Sequence, residues 1–307
     1  MVSKTIFKNL RSRHVPGDVP IAIHLPNGSD TSGPSPLPLL ILLHGGDGSE
    51  QDLRRFAPLI DQAIGDGVLA PLVVAMPSAR RSLYMDYRDG TERWETFIIA
   101  HLLPVLRREL NVAAERERTF VAGWSMGGLG SLRLAFKHPD LFGAVAAVEP
   151  AVEPALDWSP VRPHVQFWRP EEVSQKIFGS PIDESYWAAN NPATIAKRDP
   201  ARLFDLGIYL DVGDQDMLYL HEGVEFLHRV LFDAGIGHDY RLVHGAEHVG
   251  PSLEPRLQDA LAFIGRQIVQ PNWIDQQVID HRAFMDERKR AAGLLVQPLD
   301  PRRMRGF

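Results

Sequence analysis

The stretch Val121-Ala122-Gly123-Trp124-Ser125-Met126-Gly127-Gly128 decides the reading of this chain. A short apolar run, Thr119 to Ala122, leads into G-x-S-x-G and then into a helical pattern over Leu129 to Lys137. Strand, sharp turn and helix are the context of a nucleophile elbow. The glycines have a steric reason: a Cβ at Gly123 or Gly127 would collide with the neighbouring strand or helix. The turn lifts the Ser125 hydroxyl above the sheet edge and aims a helix N-terminus at whatever reacts there. The alternative reading is a glycine-rich strand–helix turn that only packs.

Outward from the elbow, apolar runs alternate with amphipathic ones. Strands are expected at Ile21–Leu25, Leu39–Leu43, Leu72–Met76, Thr119–Ala122, Ala144–Val148, Ile208–Val212 and Tyr240–Val243. Most are continuously apolar, as parallel strands covered on both faces require. Helical patterns lie at Gln51–Ile64, Trp94–Glu109, Leu129–Lys137, Tyr219–Asp233 and Leu253–Ile268, with Ser49 and Asp52 spaced as a capping box. The fold class is therefore α/β, a mostly parallel central sheet flanked by helices. Residues 1–270 read as one catalytic domain and 271–307 as a C-terminal helical extension and tail. The proline-rich run Pro26 to Pro38 reads as a surface loop.

The segment 149–206 breaks the alternation. It reads as an insertion after the sixth core strand, a lid or pocket wall, with Trp158, Trp168 and Trp187 as pocket candidates or as anchors to the body.

A serine needs a base held by an acid, and in the elbow fold the order is Ser, Asp or Glu, then His. After Gly207 to Val212 comes Gly213-Asp214-Gln215-Asp216, and after the next strand comes His244-Gly245-Ala246-Glu247-His248. Asp216, deepest in its turn, is the preferred acid, ahead of Asp214; Glu149, ending the preceding strand, ranks third, and Asp211 reads as packing within its strand. His248 is the preferred base over His244, which belongs to the strand. An oxyanion hole takes two backbone N–H donors. Met126, following the nucleophile, is one; Gly46, in His44-Gly45-Gly46-Asp47-Gly48, is the other.

Composition sets limits. The 307 residues carry a net charge of −6, against a nucleic-acid binder, and no cysteine, which rules out a thiolate nucleophile, a disulfide and a cysteine zinc site. Met1 to Arg13 alternates basic and apolar residues without a signal-like run, and no stretch is long and apolar enough for a membrane span, so a cytoplasmic protein is expected. His244-Gly-Ala-Glu247-His248 matches H-x-x-E-H, but Gly245 and Pro251 argue for a turn rather than the helix a metallopeptidase needs. No metal or cofactor is expected. Arg80, Arg81, Arg88, Arg93, Arg162 and Arg169 read as solvated surface charge or as receivers of an anionic group.

The segments HGGDGSEQDL, MPSARRSLYMDYRDGTERWETF, GWSMGG, LAFKHPDLFGAV, GDQDML and GAEHVG, in that order, resemble the esterase family of the α/β-hydrolase superfamily. That family includes esterase D-type S-formylglutathione hydrolases, feruloyl and acetylxylan esterases and mycolyltransferases. The resemblance runs from about Ile21 to Ile268, and FGSPIDESYWAANNPATIA is similar to the family's middle insertion. It implies a catalytic triad of Ser125, His248 and Asp216, an oxyanion hole at Gly46 and Met126, and a pocket near Tyr84 and Asp86. Trp124, beside the nucleophile, joins the pocket candidates; many relatives have His there, and many close the histidine turn as GGHDW rather than GAEHVG. The expected activity is serine carboxylesterase chemistry on a small-molecule ester. Thioester hydrolysis on the S-formylglutathione pattern, acyl transfer and a non-catalytic binding protein are the other readings. The C-terminal extension suggests a homodimer.

Overall fold

The computed structural model describes residues 3–26, 35–161, 163, 167–269, 276–294 and 296. Arg162, most of the proline-rich loop and the basic tail beyond 296 lie outside the described residues. Eight strands form one sheet: β1 Lys4–Arg11, β2 Asp18–Leu25, β3 Leu39–Leu43, β4 Val73–Pro77, β5 Thr119–Trp124, β6 Ala144–Val148, β7 Gly207–Gly213 and β8 Asp239–Val243. Their order is β1-β2-β4-β3-β5-β6-β7-β8, antiparallel through β1, β2 and β4 and parallel from β4 to β8.

The central strands are apolar throughout because both faces are covered. Leu39, Ile41 and Leu43 of β3 join Val121, Val145, Ala147 and Leu210 in one core. Leu40 and Leu42 turn the other way, onto Phe120, Ala122, Ala146 and Tyr209. The second core is closed by α1, Asp52–Gly65, and the Leu253–Ile268 helix, through Phe56, Ile60, Leu257 and Ile264. The first is closed by α2, Trp94–Phe97, α3, Leu103–Glu109, α4, Met126–Lys137, and the Leu220–Asp233 helix.

Three local expectations need correction. β1 was not expected: Lys4–Arg11 has neither a continuous apolar run nor a two-residue alternation, and its partly exposed charges suit a sheet edge. The Trp94–Glu109 run is not one α-helix, because Ile98–Leu102 forms a π-turn. Pro104 lacks an N–H and clashes with the carbonyl four residues back, so the helix widens ahead of it. The capping box is half formed: the Asp52 carboxylate accepts the Ser49 N–H at 3.2 Å, while Ser49 Oγ accepts from Gln51 N instead of Asp52 N.

The insertion after β6 carries the helices Glu171–Phe178, Glu184–Asn190 and Pro192–Arg198. Trp158 lies 5.9 Å ring to ring from both Phe178 and Trp187, and all three are buried. The C-terminal helix Gln276–Ala291 has no buried residue.

Candidate active site

Ser125 sits between β5 and α4 with φ 54° and ψ −117°, outside the regions a non-glycine residue normally occupies. Three backbone bonds hold it there: Ser125 N–H donates to Val148 O at 3.0 Å, and its carbonyl accepts from Leu129 N at 3.0 Å and Ala151 N at 3.1 Å. A Cβ on Gly127 would lie 2.1 Å from Leu43 O, and one on Gly123 would lie 2.5 Å from the Gly127 carbonyl. Only glycine allows β5, β3 and the start of α4 to approach this closely.

The parallel sheet brings the loops after β5, β6, β7 and β8 to one edge. Ser125 Oγ and His248 Nε2 are 3.1 Å apart, and His248 Nδ1 is 2.9 Å from Asp216 Oδ2. Asp216 Oδ1 accepts Leu218 N–H at 2.8 Å, fixing the carboxylate. With Nδ1–H donating to Asp216, Nε2 faces the serine hydroxyl as the acceptor. Burial alone would lower the pKa of His248, but the Asp216 hydrogen bond and the charges of Glu149 and Asp216 outweigh it and raise it above 6.5.

The lower-ranked candidates stand elsewhere. Asp214 bonds His244 Nδ1 at 2.7 Å and Gly245 N at 2.7 Å, outside the Ser125–His248 contact. His244 is exposed, and 244–248 is a turn rather than a helix, so the H-x-x-E-H letters do not form a two-histidine face. Asp211 is buried in β7, accepting from Tyr209 Oη and Arg256. Glu149 is much nearer than its third rank implied, 3.9 Å from His248 Nδ1.

Gly46, Ser125, Met126 and His248 line one cleft of about 530 Å³. Neither Gly46 N–H nor Met126 N–H has a hydrogen-bond partner among the described residues. His44 holds the glycine loop: Nδ1 donates to Gly45 O at 2.7 Å and Nε2 accepts Ala79 N–H at 2.9 Å. Burial lowers its pKa, which keeps the ring neutral and this tautomer in place.

Among the pocket candidates, Trp124 and Trp168 line the cleft, with Leu83, Leu218, Val249 and Leu253. Tyr84, Asp86, Trp158 and Trp187 do not. Tyr84 is fully buried beneath the glycine loop, its hydroxyl donating to His44 O at 3.2 Å. Asp86 caps the start of α2 by accepting Thr96 N–H at 2.9 Å. Trp158 and Trp187 anchor the insertion to the body. Of the arginines, Arg81 and Arg169 reach the cleft, paired with Asp47 and Glu153.

Arg256 escaped the sequence reading. It is buried, donating to Glu149 Oε2, to Glu247 O at 3.1 Å and to Asp211 Oδ1 at 3.3 Å. Its signal was available: three residues after Leu253, it falls on the helix face that Leu253, Leu257 and Ile264 bury. Among the described residues, one group of metal-ligating side chains converges, Glu149, Asp216 and His248, with ligand atoms within 4.8 Å of one another. The Arg256 guanidinium on Glu149 opposes a cation there.

An esterase of Mycobacterium tuberculosis is 29% identical over 261 residues, covering 76% of this chain and 53% of that protein. The chain thus spans about half the length of the curated relatives it matches first. A ferulic acid esterase structure superposes with a TM-score of 0.71 at 22% identity, covering 87% of this chain and all of that one. An S-formylglutathione hydrolase of Staphylococcus aureus gives 0.70 at 18%, covering 86% and 99%. These structural likenesses establish the α/β-hydrolase fold. The family model described as "Putative esterase" matches residues 12–260, and the chain belongs to that esterase family.

Proposed function

We propose that the protein is a serine carboxylesterase working through an acyl-enzyme. The observation that carries this reading is the unbroken hydrogen-bond chain from Ser125 through His248 to Asp216 at the edge of the cleft. Ser125 Oγ attacks the ester carbonyl as His248 Nε2 takes its proton, and Asp216 orients the ring and stabilises the imidazolium. The N–H groups of Gly46 and Met126 receive the oxyanion. His248 returns the proton to the departing alcohol, and water, activated by the same histidine, releases the acid.

Trp124, Trp168 and Leu218 suit an apolar acyl or alcohol group. Catalysis is assigned to residues 1–270, with 271–307 as an appended extension. Exposed Ile279, Phe284 and Met285 on the Gln276–Ala291 helix support a homodimer, which a light-scattering mass would check. A cytoplasmic location belongs to the same proposal.

A fluorophosphonate probe tests the nucleophile directly. Labelling of the folded protein, with the adduct mapped to Ser125, is expected. A folded protein that resists the probe, or carries the adduct elsewhere, would contradict the assignment.

A further inference from the structure

The imidazole of His248 has two carboxylates on its Nδ1 side. Asp216 Oδ2 is at 2.9 Å, and Glu149 Oε2 is at 3.9 Å. Asp216 explains the orientation of the ring; the second acid is unexplained by the triad. Glu149 follows the last residue of β6 with φ 40°, a strained conformation for a side chain with a Cβ. Its N–H donates to Asp211 O at 2.7 Å, so the strained backbone is locked onto β7.

The carboxylate is completely buried. Oε2 accepts from Arg256 Nη2, and Oε1 has no hydrogen-bond partner. The oxygen that accepts from Arg256, Oε2, is also the one that lies 3.9 Å from His248 Nδ1, so one carboxylate oxygen faces both cations. Arg256 already pairs with Asp211 on the neighbouring strand. Arg256 also holds the Glu247 carbonyl, one residue before His248, so Glu149 is coupled to the backbone that carries the base.

We propose that Glu149 is a second positioning acid for His248, stabilising the imidazolium alongside Asp216 and supporting Nδ1 when Asp216 is lost. The inference rests on the Ser125–His248–Asp216 reading above. As Ser125 Oγ passes its proton to Nε2, a positive charge forms on the ring, and no atom moves other than in the ordinary triad step. Glu149 adds a second negative charge within the range at which an opposite charge favours imidazolium. The charged groups facing it are Arg256 from the Leu253–Ile268 helix, Asp211 from β7, and Asp216 and His248 from the loops after β7 and β8. Burial raises the Glu149 pKa to about 7, helped by the Asp216 charge and opposed by His248 and Arg256. Glu149 and the imidazole therefore titrate as a pair rather than independently.

The test is a double-mutant cycle on kcat/KM against pH with p-nitrophenyl acetate: wild type, Asp216→Asn, Glu149→Gln and the double variant, beside Ser125→Ala. Loss of a triad acid without a substitute costs on the order of 10⁴-fold. Asp216→Asn is expected to lose only ~10²- to 10³-fold, because a second acid remains. Glu149→Gln should cost at least ~10 times more in the Asp216→Asn background than alone, and should move the acid limb of the wild-type background down by ~1 pH unit. An equal cost in both backgrounds, or an unmoved limb, overturns the inference. Glutamine keeps the size of Glu149 and an acceptor for Arg256, so the limb of that single variant decides even if Asp216→Asn does not fold. An active Ser125→Ala would instead sink the triad reading itself; the two failures are distinct.

Discussion

At Ser125 the backbone is strained and the side chain is committed: φ 54° points the hydroxyl out of the elbow and toward His248 Nε2. In the proposed mechanism the histidine is neutral when it accepts the serine proton. Its pKa is raised, so the protonated, inactive form persists to higher pH than for a free imidazole. kcat/KM is therefore expected to fall tenfold per unit below an acid limb lying above 6.5, and to level off above it. A limb below that value would mean that the carboxylates facing Nδ1 do not govern the ring. The serine was legible because the elbow's glycines are a local steric demand. Glu149 and Arg256 were much less so: their partners are distant in sequence, and only the folded sheet edge brings 149, 211, 216, 248 and 256 together.

Among the elements, the elbow is the junction that tolerates least. Gly127→Ala would place a methyl 2.1 Å from Leu43 O, where the opposing atom is backbone in the central strand and cannot swing aside. A loss of at least ~3 kcal/mol of stability is expected, read as a lowered midpoint in denaturant unfolding. Gly46→Ala is the contrast, since no atom lies within 4 Å of its added Cβ and the midpoint should barely move. Equal midpoints for the two variants would mean that the elbow is looser than its contacts indicate. The central strands and the Leu253–Ile268 helix were readable from apolar period and length. β1 was not, because an edge strand carries half-exposed charges and lacks an apolar run. The π-turn was equally hidden, since a proline's effect falls upstream of the residue itself.

Across the whole molecule, the sheet edge positions Ser125, His248 and Asp216, and the insertion supplies one wall of the cleft. Trp168, Pro170 and Val173 face the cleft, while Trp158, Phe178 and Trp187 pack together behind them. The sequence marked this segment by its length and aromatic content. Which aromatics turn inward depends on packing across the helices of the insertion, which no local pattern encodes. Among the described residues no helix is long and apolar enough to cross a membrane. The proposed chemistry rests on one serine, Ser125. Hydrolysis of p-nitrophenyl esters from acetate to laurate, wild type beside Ser125→Ala, tests it most directly. Wild-type activity with a chain-length optimum set by the cleft is expected, with a loss of at least ~1000-fold in the variant. A correctly folded Ser125→Ala that hydrolyses these esters at near wild-type rates would contradict it.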